Sequence, residues 1–325
     1  MNETDLLHQL ENRACSGDVT AQYYLSIVYE EARYGQQDLV ASAIWCEQAA
    51  RAGNRQSQYR LSKMLESGRG FDKIHLRASW YWLEQAAQAG HIEACFSLGV
   101  RYLFGAYGVR KSIRKARLWL LASARACHAE ANYYLGYMYL NAYGVNEQPG
   151  EAFHFFSRAV ELGSVKAQCS LAAMLEHGIA CEIDHERSQK LYELAADNGH
   201  TGAQMYLATR AFSLANYSQA LYRFEQAANA GVTEAQAFLV WLLSRGPLAL
   251  QNKARALFWC FVLQHTDTNV NCMFPRSSTQ SLGILLSSAN ATELMNAEQQ
   301  ALAWIQEHDF VQTQVHTQES GGNQF

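Results

Sequence analysis

The sequence predicts an all-α protein, a right-handed α/α superhelical solenoid of about seven helix-turn-helix repeats with capping helices at both ends. Three observations carry this. Small-residue markers recur at Gly17, Gly53, Gly90, Cys127, Gly163, Gly199 and Gly231, separated by 36, 37, 37, 36, 36 and 32 residues. Four positions after each marker stands Ala21, Ser57, Ala94, Ala131, Ala167, Ala203 or Ala235. Eight positions after it stands Leu25, Leu61, Leu98, Leu135, Leu171, Leu207 or Leu239, without exception. A fixed period of this size marks a solenoid, in which each unit covers its neighbour's apolar face.

The elements follow in chain order. Residues 1–16 read as an amphipathic N-terminal capping helix. Residues 17–266 hold the repeats, as units 18–52, 54–89, 91–126, 128–162, 164–198, 200–230 and 232–266. In the third unit, Ala94, Phe96, Leu98 and Tyr102 follow helical spacing from Ile92 to Leu103. The turn Phe104-Gly105-Ala106-Tyr107-Gly108-Val109 ends that helix, and glycine supplies the backbone freedom a helix C-terminus needs. A second helix then carries Ala116, Trp119 and the small pair Ser123-Ala124, with Trp45, Trp82 and Phe155 in the same frame of other units. Small residues set against large ones at fixed spacing let helices approach and interdigitate. The sixth unit is short, with Ser213-Leu214-Ala215-Asn216 in place of the glycine turn.

After Asp267 the pattern fades, and residues 267–310 read as C-terminal capping helices. Ser277–Ser288 and Thr292–Glu307 form the expected pair, with residues 271–275 as the joint. Leu294, Ala301, Trp304 and Ile305 are expected to face inward and cover the open end of the stack. Residues 311–325, rich in Gln, Gly and Ser, read as a disordered tail.

Composition narrows the function. A net charge of −4 points neither to nucleic acid nor to an anionic membrane surface. No apolar run approaches the roughly 20 residues of a spanning helix. The N-terminus lacks the basic and apolar regions of a signal peptide, so a cytoplasmic location is expected. Most of the eight cysteines fall at scattered offsets and no pair recurs within every unit, whereas a disulfide framework in a repeat protein should itself repeat. No phosphate-binding loop, zinc-protease motif or nucleophile elbow occurs, so no catalytic residue and no cofactor are assigned. Cys169, His177, Cys181 and His185 are metal-ligand residue types within one hairpin. Cys169, however, occupies a core column filled elsewhere by Tyr23, Tyr59, Phe96 and Tyr133. No metal is assigned, and the question stays open for that hairpin. His91, His128 and His200 each stand one position after a marker, where they are expected to begin a helix.

The frame Ala-x-x-x-Leu-Gly-x-x-Tyr-x-x-x-Tyr-Gly-Val, followed by Ala-x-x-Trp and a small pair, resembles the Sel-like repeat family of the tetratricopeptide-repeat superfamily. Residues 94–124 and 131–160 carry it best, through Gly99, Tyr102, Gly108-Val109, Gly136, Tyr139 and Gly144-Val145. The resemblance extends over about 17–266. It implies an adaptor that assembles or regulates other proteins. Some secreted, cysteine-rich relatives are linked to β-lactam binding, and the scattered cysteines here argue against that branch.

On each first helix, positions seven and ten after the marker are expected to face the concave surface. These columns, with Arg101 beside them, supply the candidate partner-binding residues Tyr24, Arg60, Lys63, Arg101, Tyr134, Tyr137, Tyr206, Phe238 and Trp241. Arginine and large aromatics anchor interfaces because they bring wide contact area and polar ends at low entropic cost. The leading expectation is a non-enzymatic scaffold that holds a segment of a partner protein. An inhibitory, immunity-type protein that blocks a toxin or effector is the alternative, and a β-lactam-binding hydrolase stands third.

Overall fold

The computed structural model describes residues 3–33, 35–143, 148–266, 283 and 285–319. They fall into two compact units, Met1–Gly163 and Ser164–Phe325. In the first, α1 (Glu3–Cys15) precedes four hairpins: α2 (Val19–Glu31) with α3 (Leu39–Arg51), α4 (Arg55–Ser67) with α5 (Leu76–Gln88), α6 (Ile92–Phe104) with α7 (Ile113–Arg125), and α8 (Ala129–Leu140) with α9 (Pro149–Glu161). In the second, α10 (Val165–His177) pairs with α11 (His185–Asp197), α12 (Thr201–Ser213) with α13 (Tyr217–Asn229), and α14 (Thr233–Arg245) with α15 (Lys253–Thr266). A final helix, α16 (Ala291–Glu319), packs against α15. The fold is an α/α superhelical repeat fold, and no strand occurs among the described residues.

The marker residues work as helix punctuation. Each adopts the left-handed conformation that ends one helix, with φ between 78° and 92° at the six glycines and 61° at Cys127. At every marker but Gly231, which Val232 follows, the next residue caps the following helix through its side chain. Asp18, Asn54, His91, His128, Ser164 and His200 each accept the backbone N–H three positions on. Stop and start are thus written in two adjacent residues. At the other end of the first helices, the left-handed residue persists where glycine is lost, as Ala32 and Ala142 show with φ of 55° and 52°. The sixth hairpin is joined by Leu214–Asn216 alone, as its short sequence requires.

Burial follows the columns. The seven leucines eight positions after the markers are at most 3% exposed. Gly99 and Gly136 stand beside two of them, and each lets a second helix come close. A Cβ at Gly99 would sit 2.7 Å from Leu120 Cγ, and one at Gly136 would sit 2.8 Å from Phe156. A column unnoticed in the sequence adds polar bonds between repeats. Gln22, Gln58, Gln204 and Gln236, five positions after their markers, each donate from Nε2 to the carbonyl eight residues back, Ala14, Ala50, Ala196 or Ala228. Those carbonyls lie in the last turn of a helix, where the marker glycine's N–H is their backbone partner and the glutamine adds a second bond.

The C-terminal cap behaves partly as expected. Ala301 is fully buried, Leu294 and Trp304 pack on the same cluster as α15, and the Trp304 ring lies 5.6 Å from Trp259. Ile305 is half-buried. The last helix continues to Glu319, past the boundary expected at 310. The joint at 271–275, most of the Ser277–Ser288 helix and residues 320–325 lie outside the described residues.

Candidate functional site

The basic end of the expected groove is neutralised by acids thirteen positions after the markers. Glu30 receives Arg60 from the next repeat, and Arg69 lies 3.0 Å away. Glu66 receives both its bonds from Arg101 Nη2 at 2.8 Å, with Lys63 at 3.3 Å. Glu176 occupies the same column in the second unit and faces His185 at 3.4 Å. Burial alone would raise its carboxyl, but the polar side chains of Ser188, His185 and Tyr206 around it, with the Arg210 charge, hold it below its ordinary value. Arg101 therefore corrects the sequence reading. It is 6% exposed and locked to Glu66, so it is an inter-repeat tie and not a free groove cation. The physical reason is that a buried guanidinium must find a carboxylate, and position eleven of one repeat meets position thirteen of the one before. Arg60 is likewise ion-paired and half-buried, whereas the Lys63 side chain remains 46% exposed.

The aromatic candidates divide as well. Tyr24 on α2 is 54% exposed. Tyr134 and Tyr137 on α8 are half-buried within a patch that includes Phe96, Phe104 and Tyr143. Burial, with a hydrogen bond to Tyr143, raises the Tyr137 hydroxyl above its ordinary value. In the second unit the rings serve packing. Tyr206 stacks on Tyr192 at 3.9 Å, Phe238 stacks on Phe224 at 4.7 Å, and Trp241 meets Phe212 at 5.3 Å. All three are half-buried.

The histidines are structural, as expected. His91 and His128 accept the N–H of Ala94 and Ala131 through Nδ1. Their Nε2 atoms face Gln56 and Glu93 of the preceding repeat at 2.6 Å and 3.0 Å. Both rings stack at 4.4 Å on the preceding repeat's Tyr59 or Phe96. The Cys169 group does not converge. Burial pushes the Cys169 thiol up to about 11, Cys181 donates to the Met174 carbonyl, His177 is exposed, and His185 turns to Glu176. Among the described residues no group of three or more His, Cys, Asp or Glu side chains is placed to hold a metal ion. Cys15, Cys46, Cys95, Cys127, Cys169, Cys181 and Cys260 are free thiols, and Cys272 lies outside the described residues.

The Sel1 repeat pattern matches residues 19–54, 55–91, 92–126, 129–164, 165–200 and 203–232. The chain belongs to the Sel1 repeat family. The seventh hairpin, α14 with α15, continues the architecture beyond the matched residues. Among solved structures, the chain is similar to c5321, a protective antigen present in uropathogenic Escherichia coli strains and displaying an SLR fold. The TM-score is 0.71 at 25% identity, over 94% of this chain and 64% of that one. A Sel1 repeat protein from Oxalobacter formigenes aligns with a TM-score of 0.69 at 26% identity, over 88% of this chain and 82% of that one. Among curated proteins none matches the chain in sequence. Sel1 repeats typically mediate protein–protein interaction and are generally non-catalytic. Among the described residues no helix is long and apolar enough to cross a membrane.

Proposed function

We propose that the chain is a non-enzymatic scaffold that holds a segment of a partner protein against the exposed face of its first helices. The observation that carries this reading is the aromatic patch around Tyr134 and Tyr137, with Tyr24 exposed in the same column of an earlier repeat. Large rings held by their neighbours offer contact area without much side-chain entropy to lose. Lys63 supplies a charge at the rim, where it steers association more than it adds affinity. Arg60 and Arg101 hold the repeats together instead. Cys46, Cys95 and Cys260, buried singly in separate repeats, support a reducing compartment such as the cytoplasm.

Site-specific photo-crosslinking tests the proposal. A benzophenone side chain at Tyr24 or Tyr137 is expected to capture the same partner, and Y134A/Y137A to weaken that partner's binding by ~2 kcal/mol or more while the helical signal is kept. Leu118, 60% exposed on a second helix, is the control position. Capture from Leu118 and not from Tyr24 or Tyr137 would refute the placement.

A further inference from the structure

The first unit contains a cleft of about 910 Å³ outside the face just described. Its walls are the first turns of α5, the end of α6, the 107–112 turn and the start of α7. Four cations line it, Arg77, Arg110, Lys111 and Lys115, all exposed, and no acidic residue does. Among the described residues none of the four is ion-paired to a carboxylate. This is unusual in a chain of net charge −4, and it has a local cause. Between Glu93 and Glu130 the sequence contains no Asp or Glu, while Arg110, Lys111, Arg114, Lys115 and Arg117 crowd the start of α7.

The cleft also has an aromatic floor. Trp80 meets Tyr102 edge to face at 5.5 Å, and Lys115 Nζ stands 5.0 Å from the Tyr102 ring centroid. Tyr107 is half open to solvent, and the Arg101 guanidinium lies over its ring at 4.4 Å. The two helices whose first turns border the cleft also lack a side-chain cap, since neither His75 at α5 nor Ser112 at α7 makes one. The helices α3, α11 and α13 are capped by Asp38, Asp184 and Asn216, while α9 and α14, away from the cleft, also lack a side-chain cap. Uncapped N–H groups beside unpaired cations favour negative charge.

We propose that this cleft is a second binding site, for an acidic peptide segment of a partner protein that carries an aromatic or apolar side chain. The cations take the carboxylates, and the Trp80–Tyr102–Tyr107 surface takes the apolar group. Its volume lies within the range of ligand sites, and it is open to solvent rather than enclosed, which suits a peptide segment. A short acidic segment fits better than a nucleic acid strand. The first unit as a whole is close to neutral, with 17 Lys and Arg against 16 Asp and Glu, so beyond the cleft it adds little of the attraction a long polyanion needs. The site shares no lining residue with Tyr24, Tyr134 or Tyr137, although Lys111 Nζ lies 5.3 Å from the ring centroid of Tyr143 in that patch, so the variants below leave Lys111 in place.

Fluorescence anisotropy on the full chain tests it, with a fluorescein-labelled peptide of Glu and Phe residues as probe. A Lys and Phe peptide and a labelled single-stranded oligothymidylate serve as the comparison arms. Saturable binding of the acidic peptide is expected, weakened about tenfold or more by R110E/K115E, weakened by added salt, and unchanged by Y134A/Y137A. Should the charge reversal lower the melting temperature, R77Q/R110Q makes the same comparison with milder changes. Three results would overturn the proposal: no saturable binding of the acidic peptide, binding that both basic-cleft variants leave intact, or oligothymidylate binding as tight as the peptide with the same losses.

Discussion

Removing the Glu66 carboxylate should destabilise the first unit more than any surface ion pair could. Arg101 Nη2 reaches both Glu66 oxygens at 2.8 Å, and the two side chains are only 7% and 14% exposed. Glu66→Gln keeps the volume but strands a guanidinium in the protein. Breaking a buried pair from one side costs about 3–5 kcal/mol. Arg101→Met should cost less, about 1–3 kcal/mol, because Lys63 at 3.3 Å still offsets the Glu66 charge and the methionine refills the apolar volume. The double variant E66Q/R101M should then be more stable than the sum of the two losses predicts, by at least ~1.5 kcal/mol. Urea unfolding followed by circular dichroism measures each corner of the cycle. The slope against urea should be checked for change, since a solenoid can unfold in pieces. If Glu66→Gln lies within ~0.5 kcal/mol of the parent, or the double variant is additive, Arg101 is not an inter-repeat tie.

Other outcomes follow from single positions. Cys127 is the one marker that is not glycine, and its φ of 61° strains a side chain, so Cys127→Gly should raise the melting temperature by an amount equivalent to ~1 kcal/mol; a fall would mean the Arg158 contact at 3.7 Å matters more. Gly136→Ala should destabilise despite its better helix propensity, because its Cβ would meet Phe156 at 2.8 Å, whereas Gly150→Ala has open space and should be neutral or stabilising; thermal melts that rank the two in the other order would disprove the close approach. Burial lowers the His91 and His200 pKa values below the ordinary 6.5, so the folded chain resists protonation that the unfolded chain accepts. Their contribution is present above about pH 6.5 and is lost as pH falls through the window below it, since a protonated Nδ1 cannot accept the capping N–H. Melting temperature should therefore drop between about pH 7.5 and 5.5, and drop less in H91N/H200N, which keeps a capping acceptor; equal slopes would exclude the histidines as the cause.

The repeats, their register and the buried leucine column could all be read from the chain. A residue three, four or eight positions from a helix stop has its direction set by the helix itself, so Leu135 is buried wherever the repeat is placed. The histidine caps were legible for the same reason, since capping is a contact between residues three apart. What lay beyond sequence reasoning were pairings across repeats. Arg101 reads as an exposed groove cation until Glu66, 35 residues earlier, is found opposite it. Tyr206 and Phe238 share the column of exposed Tyr24, and Trp241 that of Tyr137, yet their neighbours Tyr192, Phe224 and Phe212 close over them. The acids thirteen positions after the markers were visible as letters at Glu30, Glu66 and Glu176, and the cation run from Arg110 to Arg117 was visible too. Only the tertiary structure shows that the first set meets arginines or histidine while the cations lining the cleft meet no carboxylate among the described residues. Local geometry determines which way a side chain leaves its helix, and the stacking of repeats decides whether a partner or open solvent waits there.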